Sequence, residues 1–302
     1  MTISSPEASS LEGRPAFTLA LPMLPSDHYL PLAIAAEAHG YDNIAVPESV
    51  FYPETVSAKY PYTPDGSRFW PAETPFLDPF VAIPAMAAVT DHIGFYTNVL
   101  KLAIREPLLV AKAVSSAASL AGGRVGLGVG LSWIPEEFRF LGQEMTTRGK
   151  RTDEAIEIIR GAVGGEWFEF HGNHYDFDPL MIRPGAPEPV PIYVGGTSAP
   201  GLRRAARLGD GWISVVIGEE ELAGIVAELA RLREAAGRAD TPFEIKVICG
   251  DVFDLEGFRR LVDLGVTDIM VCPWYYYPGD TAALDHQKSG LEQFAADVIQ
   301  QW

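Results

Sequence analysis

The stretch GGRVGLGVGLSWIPEEF, Gly122 to Phe138, alternates Val125, Leu127 and Val129 with Gly126, Gly128 and Gly130. Successive side chains of a strand point to opposite faces, so this one is apolar on one face and bare on the other, and a flat group can lie against its backbone. RGKRTDEAIEIIRGAV, Arg148 to Val163, follows with the periodicity of a helix and a basic and acidic cluster at its start. The plan recurs in PIYVGGTSAPGLRRAARLGDGWISV, Pro191 to Val215, where a strand ends in Gly195 and Gly196 and Ser198 opens a helix. Exposed amides at such a strand end and helix N-terminus suit a phosphate.

Outward from these segments, short β-branched runs alternate with longer helical patterns, as in repeated βα units. The strands are predicted at Phe17 to Pro22, Asn43 to Pro47, Ile93 to Leu100, Val125 to Gly130, Pro191 to Gly196, Gly211 to Val216, Glu244 to Gly250 and Thr267 to Cys272. Eight parallel strands are what a closed barrel needs, and the fold class expected is α/β, a single (β/α)8 TIM barrel with insertions after the second strand and before the fifth. The first insertion, Phe51 to Phe80, is crowded with aromatics and prolines and reads as a binding wall or lid, or as an ordered surface excursion. The second, Trp167 to Pro191, reads as a hairpin and extended loop. Its His171 and His174 lack the cysteine or acidic partners of a metal site, so no metal is expected. Residues 1–15 read as a loose polar tail and 16–302 as one domain, since such barrels run to ~250 residues before insertions.

Composition narrows the function. With 40 acidic against 23 basic side chains, the formal charge of −17 opposes a nucleic-acid backbone or an anionic membrane surface, and neither partner is expected. Thirteen of the Lys and Arg residues nonetheless fall between Lys101 and Arg207, so the glycine motifs lie in a much less acidic part of the chain, where an anionic ligand can sit. Cys249 and Cys272 lie in apolar runs as small hydrophobes, the start of the chain lacks a signal-peptide pattern, and no run approaches the ~20 apolar residues of a membrane helix. A cytoplasmic location is expected. The GxGxG of Gly126 to Gly130 is not the GxGxxG of a dinucleotide fold, and GxSxG, HExxH and GxxxxGK[ST] do not occur, which points to an enzyme whose chemistry belongs to a cofactor.

These segments, with TNVLKLAIREPLLVAKAVSSAASLAGGR (Thr97 to Arg124) before them, resemble the luciferase-like monooxygenase superfamily, and within it the branch using the deazaflavin coenzyme F420. The resemblance runs in order from about Ala20 to Val215 through REPLLVAK, GVGLSW, EEF, RGKRTDE, YVGGTS and RRAARLGDGW. It implies an oxidoreductase that moves a hydride between F420 and a small organic substrate at the C-terminal face of the barrel, and a homodimer. An FMN-dependent monooxygenase of the same superfamily and a cofactor-free binding protein on the same barrel are the alternatives.

Carried over by residue, the resemblance implies that Thr97, Asn98 and Val99 form a bulge with a non-proline cis peptide behind the deazaflavin ring. Gly128, Val129 and Gly130 would flank the ring and its ribityl chain. Arg148 and Arg151 would approach the phosphate region, Arg151 otherwise pairing with Asp153 or Glu154. Gly195, Gly196, Thr197 and Ser198 would bind the phosphate itself. Glu48 and Ser49 stand where relatives often carry an acidic residue followed by His, as candidates for proton handling or cofactor support, or for capping the loop that follows. Ser132 replaces a common glycine before Trp133, narrowing the space beside the cofactor.

Overall fold

The computed structural model describes residues 13–302, so the tail expected over 1–15 lies, up to residue 12, outside the described residues. Eight parallel strands close on themselves: β1 (Ala16–Ala20), β2 (Asn43–Val46), β3 (Gly94–Thr97), β5 (Val125–Gly130), β8 (Ile192–Gly195), β9 (Gly211–Ile217), β10 (Glu244–Cys249) and β11 (Asp268–Val271). Each pairs with the next, β3 pairs with β5, and β11 returns to β1, so no edge is left open. The two-residue β4 (Leu100–Lys101) continues β3 beyond a bulge and pairs with the end of β5. All eight strands lie where the sequence predicts them, and the chain is a (β/α)8 barrel.

The strand side chains fill two layers. Odd-numbered residues of β5 (Val125, Leu127, Val129) face outward into the large core under the helices, which also takes Phe17, Ile44, Trp212 and Phe258. Inside the barrel, Ala20, Ala45, Ile213 and Met270 pack with Val99 towards the C-terminal ends. Lower down, the interior is polar. Lys246 on β10 is 2% exposed, its ammonium bonded to Asp268 at 2.7 Å and to Glu244 at 2.6 Å, and it lies over the rings of Tyr96 at 4.5 Å and Tyr193 at 4.3 Å. Thr18 Oγ1 donates to the other oxygen of Asp268 at 2.6 Å and Tyr193 Oη donates to Glu244 at 2.9 Å. Burial works against the Lys246 ammonium, but the Asp268 and Glu244 carboxylates outweigh it and hold its pKa above the ordinary lysine value. This plug spans strands β1, β3, β8, β10 and β11, tying together residues far apart in the chain.

The helices wrap the outside: α1 (Tyr29–Ala38), α2 (Pro79–Ala87), α3 (Pro107–Leu120), α4 (Pro135–Phe140), α5 (Arg148–Ala162), α6 (Ala199–Leu208), α7 (Glu219–Ala235), α8 (Leu255–Asp263) and α9 (Leu284–Asp297). Their starts follow N-terminal chemistry. Asp78 accepts from the amide of Phe80 at 2.8 Å with Pro79 in the first turn, Ser198 from that of Gly201 at 3.4 Å, and Asp254 from that of Gly257 at 2.8 Å. The second insertion forms the antiparallel hairpin β6 (Phe168–His171) and β7 (Asp176–Leu180), whose turn is pinned by Glu154 accepting the amides of Asn173, His174 and Tyr175 at 2.9 to 3.1 Å. His171 is bonded to Asp176 in the same hairpin, and His174 meets Glu154 only through its backbone.

Candidate active site

The C-terminal ends of the barrel strands bring most of the residues singled out above to one face. At the end of β3 the peptide joining Asn98 to Val99 is cis. Asn98 N donates to Val46 O at 2.7 Å, and the buried Thr97 donates its hydroxyl to Gly128 O at 2.6 Å, so the bulge is held between β2 and β5. Here the bare face of β5 acquires its filling. A Cβ at Gly128 would lie 2.0 Å from Thr97 O and 3.4 Å from Val99 Cγ1, one at Gly130 would lie 2.8 Å from Val99 Cγ2, and one at Gly126 would lie 2.8 Å from the Tyr193 ring. The glycines of β5 are therefore spaces for the neighbouring strands: of the residues expected to flank the ring, Gly128 is covered by the bulge and the Val129 side chain faces the outer core. Val99 is the side chain that the glycines place at the barrel mouth.

At β8 the picture differs. Gly196 has φ +111°, a backbone conformation side chains rarely adopt, and nothing lies within 4 Å of where its Cβ would be. Its carbonyl accepts from the Trp212 indole at 2.9 Å, which fixes the turn, while the amides of Gly196, Thr197 and Ser198 make no hydrogen bond among the described residues. Three neighbouring donors thus open outward at the start of α6. Arg204 of α6 donates to Gly149 O at 2.9 Å and bonds Asp153, drawing the first turn of α5 with Arg148 towards this loop. Arg148 gives one donor to Met145 O at 2.9 Å and is half-buried.

Arg151 departs from expectation. Its buried guanidinium bonds Gln143 Oε1 and donates to Ala103 O at 2.9 Å, joining α5 to the turn after β4, and it pairs with neither Asp153 nor Glu154. Asp153 instead binds Arg204 and Arg207, and Glu154 holds the hairpin turn. Both terminal nitrogens are thus engaged within the protein while Nε is buried without a partner, and in this geometry Arg151 ties α5 to the scaffold.

Glu48 is likewise committed. Its side chain is 2% exposed and receives the Lys101 amide at 2.8 Å and Arg105 Nε at 3.1 Å, with Arg105 Nη2 on the same oxygen. Ser49 donates only weakly, to Phe51 O at 3.5 Å. Lys101 carries the network onward, its ammonium bonding Glu137, which is wholly buried and accepts from Ser132 Oγ at 2.5 Å. Ser132 has φ 63°, the region a glycine would enter freely, and its hydroxyl also accepts the Ile134 amide at 3.1 Å. The serine thus makes good the strain of that conformation with two local hydrogen bonds. Arg105, Lys101 and Glu137 had no role in the sequence reading, although REPLLVAK and EEF contain two of them; that three charges would share one buried chain of contacts needed the fold.

The loop over residues 51–78 crosses to the segment after β5. Tyr60 packs edge-on against Trp70 at 5.3 Å and Trp133 at 5.2 Å, Phe51 meets Phe140 at 5.9 Å, and Ser57 N donates to Glu136 at 3.1 Å. Arg68 stacks 3.4 Å from the centre of the Tyr52 ring. Trp133 is therefore a partner of this loop. Cys249 and Cys272 are both free, and burial pushes the Cys272 thiol up to about 12, so it stays protonated at neutral pH. No helix among the described residues is long and apolar enough to cross a membrane.

A closed parallel barrel with a bulge, an open glycine turn and an aromatic loop gathered at its C-terminal face has the architecture on which α/β-barrel enzymes carry their sites. The family model described as luciferase-like monooxygenase matches residues 18–252, and the chain belongs to that family. An uncharacterised protein of Mycobacterium tuberculosis is 46% identical over 286 residues, covering 94% of this chain and 98% of its own. An F420-dependent glucose-6-phosphate dehydrogenase of Nakamurella multipartita is 31% identical over 244 residues, covering 77% of this chain and 65% of its own. Among solved structures, an F420-dependent secondary alcohol dehydrogenase in complex with an F420–acetone adduct superposes with a TM-score of 0.74 at 16% identity over 95% of this chain and 98% of its own, a likeness of fold.

Proposed function

We propose that this protein is an F420-dependent oxidoreductase that transfers a hydride between the deazaflavin and a small organic substrate. The observation that carries the reading is the trio of unbonded amides at Gly196, Thr197 and Ser198 beside the open side of Gly196, a cradle with the donors a phosphate monoanion or diester takes up. Kinship with an F420-dependent dehydrogenase supports the deazaflavin over other phosphate-bearing cofactors. When bound, that cofactor supplies a two-electron hydride donor or acceptor with little tendency to activate oxygen, so dehydrogenase or reductase chemistry fits better than oxygenation.

The chain's own residues have defined tasks in this reading. Gly196, Thr197, Ser198 and Arg148 hold the phosphate, and Gly195 ends the strand that presents them. Thr97, Asn98 and Val99 form the support behind the ring, with the Val99 side chain lying over Gly128 and Gly130. Glu48, through Arg105 and the Lys101 amide, fixes the turn that follows the bulge, and Ser49 leads into the aromatic loop that keeps water from the reacting atoms. With its carboxylate so engaged, Glu48 acts as a support. The two free thiols fit a cytoplasmic setting.

Gly196→Val tests the phosphate assignment. A branched side chain at φ +111° forces the turn to rearrange, and cofactor affinity measured by calorimetry should fall at least about tenfold while circular dichroism is unchanged. Unchanged affinity with the fold intact would put the phosphate elsewhere.

A homodimer is part of the same proposal. Leu30 and Ile34 of α1, Val81 of α2, and Leu109 and Leu120 of α3 are exposed on three helices that follow one another around the barrel, an apolar face a second copy would cover. Light scattering should give twice the chain mass of 32.8 kDa; a monomer at micromolar concentration would refute the assembly.

A further inference from the structure

We propose that the groove between α5, α6 and α7 is an anion subsite that receives the chain of carboxylates F420 carries beyond its phosphate, an inference that rests on the deazaflavin reading above. The groove has a volume of about 420 Å³ and is lined by Pro200, Arg203, Arg204 and Arg207 of α6, Asp153 of α5 and Leu232 of α7. The four α6 residues recur at helical spacing, so they form one stripe that starts two residues after Ser198 and runs about 10 Å away from the phosphate cradle.

Charge sets the groove apart from the rest of the molecule. In a chain of formal charge −17, three guanidinium groups line the groove with one carboxylate, Asp153, while Glu228 of α7 stands close enough to Arg203 to feel its charge. Asp153 is shared by Arg204, which is buried and bonds it through Nε, and by Arg207 at 2.6 Å. Arg203 is exposed and makes no ion pair among the described residues, although the exposed Arg160, Arg231 and Arg260 are each bonded to a carboxylate. Arg204 also anchors the first turn of α5 through Gly149, so the stripe is rigid where it meets the cradle. Ala235 and Ala236 on the facing helix are small and leave the guanidinium groups accessible from the groove. An anionic chain leaving a phosphate at Ser198 meets Arg203 first and Arg207 next, and each carboxylate gains a charge-assisted contact.

The test uses the purified full chain and two forms of F420, one with its glutamate chain and one truncated at the lactyl phosphate, with binding followed by deazaflavin fluorescence. At low salt the wild type should bind the chain-bearing form about tenfold more tightly, and the advantage should shrink in 1 M salt, where the screening length is about 3 Å. Arg203→Glu should abolish the advantage and leave the Kd of the truncated form unchanged, while Arg203→Lys keeps most of it. Equal affinity of wild type for the two forms, or an advantage that survives Arg203→Glu, overturns the subsite and leaves the cofactor reading standing. Binding of neither form, with FMN bound instead, removes the cofactor reading and the subsite together.

Discussion

Lys246→Met is expected to destabilise the protein by about 3 to 5 kcal/mol at pH 7, the usual cost of stripping one partner from a buried ion pair. The lysine is 2% exposed and Asp268 is fully buried, so the substitution leaves a carboxylate in the barrel interior with only Thr18 and weaker donors for company. Burial already pushes Asp268 above the ordinary carboxylate range with the ammonium in place, and without it the shift must grow. The pH dependence follows with a definite sign. A carboxyl whose folded pKa lies above its unfolded value favours the folded state when protonated, so the penalty in Lys246→Met should be full above that folded pKa and shrink as pH falls through it towards the unfolded value near 4. Urea denaturation of wild type and variant at pH 7 and pH 5 measures this directly. A penalty under 1 kcal/mol at pH 7, or one that grows on acidification, would show that the plug is not an ion pair of this kind. Restoring neutrality with Lys246→Met and Asp268→Leu together should recover most of the loss.

Gly128→Ala is the second large effect. A single methyl there would lie 2.0 Å from Thr97 O, where no contact below 3.0 Å is tolerated, and the neighbour is backbone that cannot rotate aside. The strands β3 and β5 must separate at the point where Thr97 donates to Gly128, so the bulge carrying Asn98 and Val99 shifts with them. Overpacking in a close-packed interior typically costs 1 to 3 kcal/mol, and the rigid partner puts this case at about 3 kcal/mol. Because the same bulge is the proposed ring support, cofactor affinity should fall with stability. Gly224→Ala is the control: it lies within α7 with nothing within 4 Å of its Cβ, and should be neutral or stabilising by up to about 1 kcal/mol without touching affinity. Thermal unfolding and titration of the two variants side by side separate a local clash from a general intolerance of alanine.

The two substitutions also mark how far the sequence could be read. Strands such as NIAV and IYVG declare themselves by β-branched runs between glycine and helical segments, and the barrel follows from their number and order. The bare face of β5 was equally plain, but what fills it was not, since Thr97 and Val99 come from another strand and reach it only through the closure of the barrel. Lys246 in EIKVIC gives no sign of burial, because a lysine between apolar residues reads as an outward position until Asp268, 22 residues on, is brought beneath it. Arg151 is a related case: a basic residue at a helix start resembles an anion ligand, and only the position of Ala103 and Gln143 shows that its two terminal nitrogens are engaged within the protein. By contrast Gly196 and Ser198 were legible, since a positive φ and an N-cap are local properties of the residues themselves.

The most direct measurement of the central claim is a pair of calorimetric titrations of the purified protein, one with F420 and one with FMN. Both carry a phosphate that the Gly196 to Ser198 amides can hold, so the comparison isolates the ring and what supports it. The deazaflavin should bind at least about tenfold more tightly, a difference of about 1.4 kcal/mol. Equal affinities, or tighter binding of FMN, would contradict the assignment.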